Sequence, residues 1–415
     1  MQARSRYLVL LLVAGAGASA PAQAAPGHAS VVAGGWHTCL LTAEGRVYCW
    51  GANSGSQLGL KSTDSCRGNR KANIPCARTP RAVESELRFT RLAAGERHTC
   101  GLTEPGEAWC WGSNSWGQLG TDSTAETCVD RSQQKAPVFP CSSTPIRVQG
   151  GLFFASLVAG ATRTCGLTVD GAAYCWGATG APPPEVPTPG TTCSDRQVCT
   201  PMPVRVDAGP FVSLAAGAFL TCGLQTEGTV WCWGDETTTP ILVQTNVRFS
   251  VLALGYRWAA GVDNWGTTSW WKPPNGGEVE YGSLLGGPYA MLAVGAKHVC
   301  GLNGNGAVYC WGDDSDGRLG RGGGDVDWLD VASDVLSLLS PDTTNTTQSD
   351  DRTKAGRVAT RIPFEQIAAG YDHTCGLSGD GRVFCWGDNV KGQLGSTDAT
   401  PTNKPREIEA IRHDP

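Results

Sequence analysis

A unit of about twenty residues recurs seven times along this 415-residue chain, and the repetition limits the fold more than any other feature. The first three copies read VAGGWHTCLLTAEGRVYCWG (32–51), LAAGERHTCGLTEPGEAWCWG (92–112) and LVAGATRTCGLTVDGAAYCWG (157–177). Four more follow at 214–234, 252–272, 292–312 and 367–387, separated by inserts of unequal length. Four copies run on into a Leu-Gly tail ending at Gly59, Gly120, Gly320 and Gly395. The repeat cores are therefore 32–60, 92–121, 157–177, 214–234, 252–272, 292–320 and 367–395. Most inserts close on a run such as TPRAV, TPIRV, MPVRV, TPILV or KPREI.

Each copy reads as strands. The L-A-A-G run is short, apolar and ended by glycine, and T-C-G-L and V-Y-C-W are β-prone runs around a turn. Gly45, Gly106, Gly171, Gly228, Gly266, Gly306 and Gly381 recur four residues before the second cysteine position. A tight hairpin needs positive φ there, which glycine adopts without steric cost. The Pro-containing run supplies a fourth strand, with proline tolerated at an edge. Four strands in seven units predict an all-β, seven-bladed β-propeller with four-stranded antiparallel blades. The small Ala-Ala-Gly strand suits the crowded axis and the Pro strand the rim.

The full pattern, A-A-G-x-x-H-T-C-x-L-x-x-x-G-x-V-Y-C-W-G-x-N-x-x-G-Q-L-G, resembles the regulator-of-chromosome-condensation repeat family over nearly the whole chain after its first residues. The resemblance implies a seven-bladed propeller, in agreement with the count of units. The cysteine-paired variety is similar to that of extracytoplasmic, mostly bacterial, members.

Six units carry cysteines ten residues apart: Cys39/Cys49, Cys100/Cys110, Cys165/Cys175, Cys222/Cys232, Cys300/Cys310 and Cys375/Cys385. The fifth unit has Ala260 and Trp270 instead, losing both members together, as a structural pair would. With a turn between them, the two face each other across adjacent strands, at a Cα spacing of about 4.5–5.5 Å. Six further cysteines fall two to an insert, as Cys66/Cys76, Cys128/Cys141 and Cys193/Cys199, and read as local staples. Zinc requires four ligands converging at short spacings such as C-x2-C, which isolated pairs do not supply. No metal, cofactor or catalytic residue is therefore expected.

The N-terminus carries Arg4 and Arg6, an apolar run to Ala18, and Ala22-Gln23-Ala24. This is the pattern of a secretory signal peptide, residues 1–24, leaving one propeller at 25–415. The run is too short for a good membrane span, so no membrane insertion is expected after cleavage near Ala24. Eighteen cysteines agree with an oxidising, secreted or periplasmic location. Net charge is −5 with no Lys/Arg cluster, which argues against nucleic acid as a partner.

His37, His98, His298 and His373 share one repeat position, where Arg163, Leu220 and Trp258 stand in the other units. One per blade cannot converge on a metal, so a hydrogen bond within or between blades is expected. Tryptophans 50, 111, 176, 233, 271, 311 and 386 pack the blades, whereas Trp116 and Trp265 occupy turn-like, exposed positions suited to anchoring a partner. Asp325, Asp327, Asp330 and Asp334 lack EF-hand spacing and read as a solvated loop, and Asp313, Asp314 and Asp316 as a turn.

The expected function is a monomeric, non-enzymatic scaffold binding a protein partner through loops on one face, where the inserts vary most. The resemblance adds alternatives: inhibition of an extracellular enzyme, as in propeller β-lactamase inhibitors, or nucleotide exchange on a small GTPase. A carbohydrate-binding or lyase propeller is a further one. Signal peptide and disulfides oppose the nuclear exchange activity.

Overall fold

The computed structural model describes residues 28–62, 64–68, 72–129, 137–179, 199–234, 237–243, 247–256, 258–271, 281–284, 288–322 and 355–408. The chain forms seven antiparallel sheets around one axis, each built from a contiguous stretch of sequence. Blade 1 shows the plan. Its inner strand Ser30–Ala33 pairs with His37–Leu41, then Val47–Ala52, then Asn73–Ala82. Blades 1 and 2 differ from the expected four strands. Their inserts fold a fifth strand, Asp64–Arg67 or Glu126–Val129, onto the outer edge, held by Cys66–Cys76 and Cys128–Cys141.

The seven hairpin glycines have φ between 80° and 116°, as the turn requires. Across these turns six disulfides close: Cys39–Cys49, Cys100–Cys110, Cys165–Cys175, Cys222–Cys232, Cys300–Cys310 and Cys375–Cys385. The two members of each lie directly opposite in the strand register. The expected spacing needs correction, because the Cα atoms are only 4.1 Å apart in all six pairs. Each pair occupies a narrow, non-hydrogen-bonded position of the ladder, where opposed residues approach most closely. The insert pairs Cys66–Cys76 and Cys128–Cys141 are wider, at 5.8 Å. Cys199 is disulfide-bonded, and Cys193 lies outside the described residues.

The glycine ending each inner strand has a different cause. A Cβ on Gly34, Gly95, Gly160, Gly217, Gly255, Gly295 or Gly370 would sit 2.1–2.6 Å from the corresponding glycine carbonyl of the next blade. Only hydrogen fits between backbones so close. Immediately beyond these glycines, backbone hydrogen bonds run from blade to blade around the whole ring: Gly35 to Gly95, Glu96 to Gly160, Ala161 to Ala218, Ala218 to Gly255, Tyr256 to Gly295, Ala296 to Tyr371 and Tyr371 back to Gly35. The small strands thus line the axis, as their composition predicts.

Closure needs no strand shared between the chain ends. The last strand, Thr402–Glu407, completes blade 7 by pairing with Val383–Gly387. Blades 7 and 1 meet through the buried cluster of Val31, Leu40, Trp50, Leu377, Leu394 and Ile408. The antiparallel order also sorts the loops. The Gly-x-x turns and the inserts share one face, and the hairpin turns and blade-to-blade connections share the other.

Candidate functional site

The repeated histidines are not a reactive site. His37, His98, His298 and His373 are buried, and each Nε2 lies 2.8–2.9 Å from a threonine Oγ1 in the following blade: Thr99, Thr164, Thr374 and Thr38 respectively. Each threonine hydroxyl donates onward to a main-chain carbonyl in the Leu-Gly tail of the histidine's own blade, at Gln57, Gln118, Arg318 or Gln393. The same carbonyl accepts the indole N–H of Trp111, Trp176, Trp386 or Trp50. Since the threonine proton is already committed, the imidazole must donate from Nε2. Nδ1 is then left as a buried lone pair without a partner among the described residues. Burial pushes all four histidines down to about 3, with neighbouring histidines adding to the effect at His37 and His373.

Four junctions carry this polar latch, and the other three do not. At junction 3/4 Arg163 donates to Ala178 O, and the Trp233 indole lies 3.3 Å from Cys175 Sγ. At 4/5 Leu220 and Ala259 replace histidine and threonine; at 5/6 Trp258 and Val299 do. At 4/5 and 5/6 both positions change, whereas at 3/4 Thr221 is kept opposite Arg163; a histidine without its acceptor would bury an unpaired N–H.

The insert face is crossed at its centre by an aromatic row that sequence reasoning missed. Trp36 packs on Tyr371 at 5.2 Å, Tyr371 on Tyr256 at 5.5 Å, and Tyr256 on Phe219 at 5.2 Å, all near perpendicular. The Tyr371 hydroxyl donates to Glu96 across the axis at 2.8 Å, and burial together with that carboxylate holds the phenol well above its ordinary value. Lys391 Nζ lies 4.7 Å over the Trp36 ring. These residues occupy the two variable letters between glycine and histidine. The signal was the run of aromatic letters there, G-W, A-F, Y-R and Y-D, in four of the copies.

Exposed apolar side chains concentrate elsewhere. On the hairpin face Val169 and Trp265 are each 92 % exposed, with Phe153 and Val212 beside the starts of blades 3 and 4. Met202, Val204 and Ile241 are exposed on the outer strands Cys199–Arg205 and Thr237–Leu242 of those blades. Apart from Val129 in blade 2, the large exposed hydrophobics of the described residues all belong to blades 3–5 or the connection into them. Trp265 is thus exposed as expected. Trp116 is not: it is only 7 % exposed, because Ala178 and Cys199 of the next blade cover it.

Asp313 and Asp314 hold turn N–H groups of Ser315 and Leu319, and Asp316 pairs with Arg318, as a turn requires. Asp325, Asp327, Asp330 and Asp334 lie outside the described residues, as does the N-terminal segment to Ala24. Among the described residues no group of three His, Cys, Asp or Glu is placed to hold a metal.

The repeat geometry has counterparts. Two profiles of the regulator of chromosome condensation (RCC1) repeat match residues 29–57, 89–118, 211–237, 292–318 and 364–393, and residues 44–102, 105–167 and 380–414. The chain belongs to the RCC1 repeat family. It is 24 % identical over 382 residues to the human E3 ubiquitin-protein ligase HERC2, covering 90 % of this chain but only 6 % of that protein. It is likewise 24 % identical to the Arabidopsis thaliana ultraviolet-B receptor UVR8, over 93 % of this chain and 70 % of the receptor. Yeast RCC1 (Prp20), in its structure bound to Kap60, superposes with a TM-score of 0.66 at 20 % identity, covering 88 % of this chain and 83 % of that one. At that identity the RCC1 likeness is one of fold.

Proposed function

We propose that this RCC1-family propeller is an extracytoplasmic, non-enzymatic scaffold that binds a protein partner. The observation carrying the reading is the apolar sector on blades 3–5, where Trp265 and Val169 stand fully out in solvent. Exposed tryptophan at a rigid turn is a common anchor of protein interfaces. Insert length points to the other face, but there the aromatic row is spent on its own rings and on Glu96. Protein binding is also the use reported for the yeast relative, whose structures describe Kap60 bound to it and its binding properties toward Gsp1p and histones. The disulfides support an oxidising compartment.

The test is capture from periplasm or culture supernatant on immobilised protein, with V169E/W265E alongside. Specific retention by the parent, lost in the variant, supports the reading. Equal retention by both, or retention of nothing while a glycan array gives signal, overturns it. Non-reducing peptide mapping of the exported protein should recover Cys100 linked to Cys110 and the equivalent pairs.

A further inference from the structure

We propose that blade 5 is a gate in the ring, separating from its neighbours while the remaining blades stay closed. Several independent features meet there. It is the blade without a hairpin staple: Ala260 stands opposite Trp270 where the others have cysteines. Its junction with blade 4 has Leu220 and Ala259 at the latch positions. The Trp271 indole N–H, which in four other blades would donate to a tail carbonyl, is buried with no acceptor among the described residues, and Thr268 Oγ1 is likewise unmet. Its junction with blade 6 joins Val251, Ala260 and Val262 to Tyr289, Leu292 and Trp311 in an apolar cluster, with Trp270 and Val299 at the margin.

The axial ring is also weakest at this point. The bond from Tyr256 N to Gly295 O is 3.4 Å, against 2.9–3.2 Å at the other six junctions. Hydrogen bonds weaken as they lengthen, and an unmet buried donor favours states in which water reaches it. What ties blade 5 beyond its neighbours is Tyr256, packed on Tyr371 of blade 7, while its other ring contact is to Phe219 of the adjoining blade 4. Opening withdraws the Tyr256 ring and exposes Phe249, Trp271 and Trp311 along two apolar clefts, next to the exposed Trp265. The clefts suit an apolar segment of a protein partner. That last step rests on the interaction reading; the opening itself does not.

Native-state hydrogen exchange on the intact protein at graded, sub-denaturing guanidinium tests the gate without a partner. Amides of Phe249–Leu254, Ala259–Asp263 and Thr268–Trp271 are expected to exchange as one group, at least tenfold faster than those of His373–Ser378 and Val383–Gly387. Their rates should rise with denaturant, since opening a junction exposes buried surface. Protection equal to that of blade 7 overturns the proposal. Fast exchange that ignores denaturant also overturns it, because it reports local fraying. A failed capture experiment with a positive exchange result would remove the partner and leave the gate.

Discussion

Blades 6, 7, 1, 2 and 3 are joined by four copies of one polar latch, whereas blade 5 meets both neighbours through apolar side chains. Both kinds of junction are internally consistent. The latched kind needs a histidine, a threonine, a tryptophan and a tail carbonyl, drawn from two blades. The apolar kind drops histidine and threonine together, and at junction 4/5 it leaves the Trp271 N–H unmet among the described residues. A propeller made of repeats is therefore not uniform in stability. Its nearest-neighbour interfaces set the local strength, as in other repeat proteins.

Acid should act on one arc and spare the other, and this is the largest effect expected. An unfolded imidazole binds its proton near 6.5, while the four latch histidines stay neutral until about 3. Falling pH thus favours the unfolded chain throughout that window, by about 1.4 kcal/mol per histidine per pH unit. At pH 4.5 the four together cost on the order of 10 kcal/mol, comparable with the whole stability of a typical domain. Guanidinium midpoints at pH 7.5 and 4.5 should differ steeply. H37L/T99V, which converts one latch to the apolar kind, should remove roughly a quarter of the loss. A pH-independent midpoint would contradict the latch assignment.

Staples come next in size. Removing the blade 6 pair by C300A/C310A should cost about 2–3 kcal/mol. It should also raise exchange in His298–Asn303 and Val308–Gly312 toward the level of blade 5. Exchange in blade 6 that stays slow would mean the missing staple is not what distinguishes blade 5.

A double-mutant cycle at junction 1/2 reads a smaller term. T99V alone leaves the His37 N–H without an acceptor and should cost about 1–3 kcal/mol. Adding H37L should cost little more, or return part of the loss, because the pair then resembles Leu220 with Ala259. Strict additivity of the two substitutions in thermal unfolding would show that they do not act as one unit.

Blade count, strand order and hairpin pairs were legible because each is written within one repeat. Gly106 announces its turn through its own φ, and Cys100 finds Cys110 across that turn. What was not legible depends on the neighbouring blade. Gly95 is visible as a letter, yet its cause is the carbonyl of Gly160, 65 positions on. His98 could be excluded as a metal ligand, but its partner Thr164 lies in the next repeat. Trp116 looks like an exposed turn residue until Ala178 and Cys199 are placed over it. The aromatic row needs four blades at once, from Trp36 to Phe219, and no local pattern contains it.

The smallest expected effect on folding separates the two regions by use. W265S removes a side chain that is 92 % exposed, so stability should move by no more than about 0.5 kcal/mol. Asp380 occupies the same turn position in blade 7 and is held by Ser378 and Arg382. D380S should be similarly mild in thermal unfolding. The two differ in what they offer a partner: Trp265 presents an apolar ring, and Asp380 a charge already paired. Captured partner should therefore fall at least tenfold with W265S and stay unchanged with D380S. Equal effects would move the contact surface off blade 5, and an effect of D380S alone would move it to the latched arc.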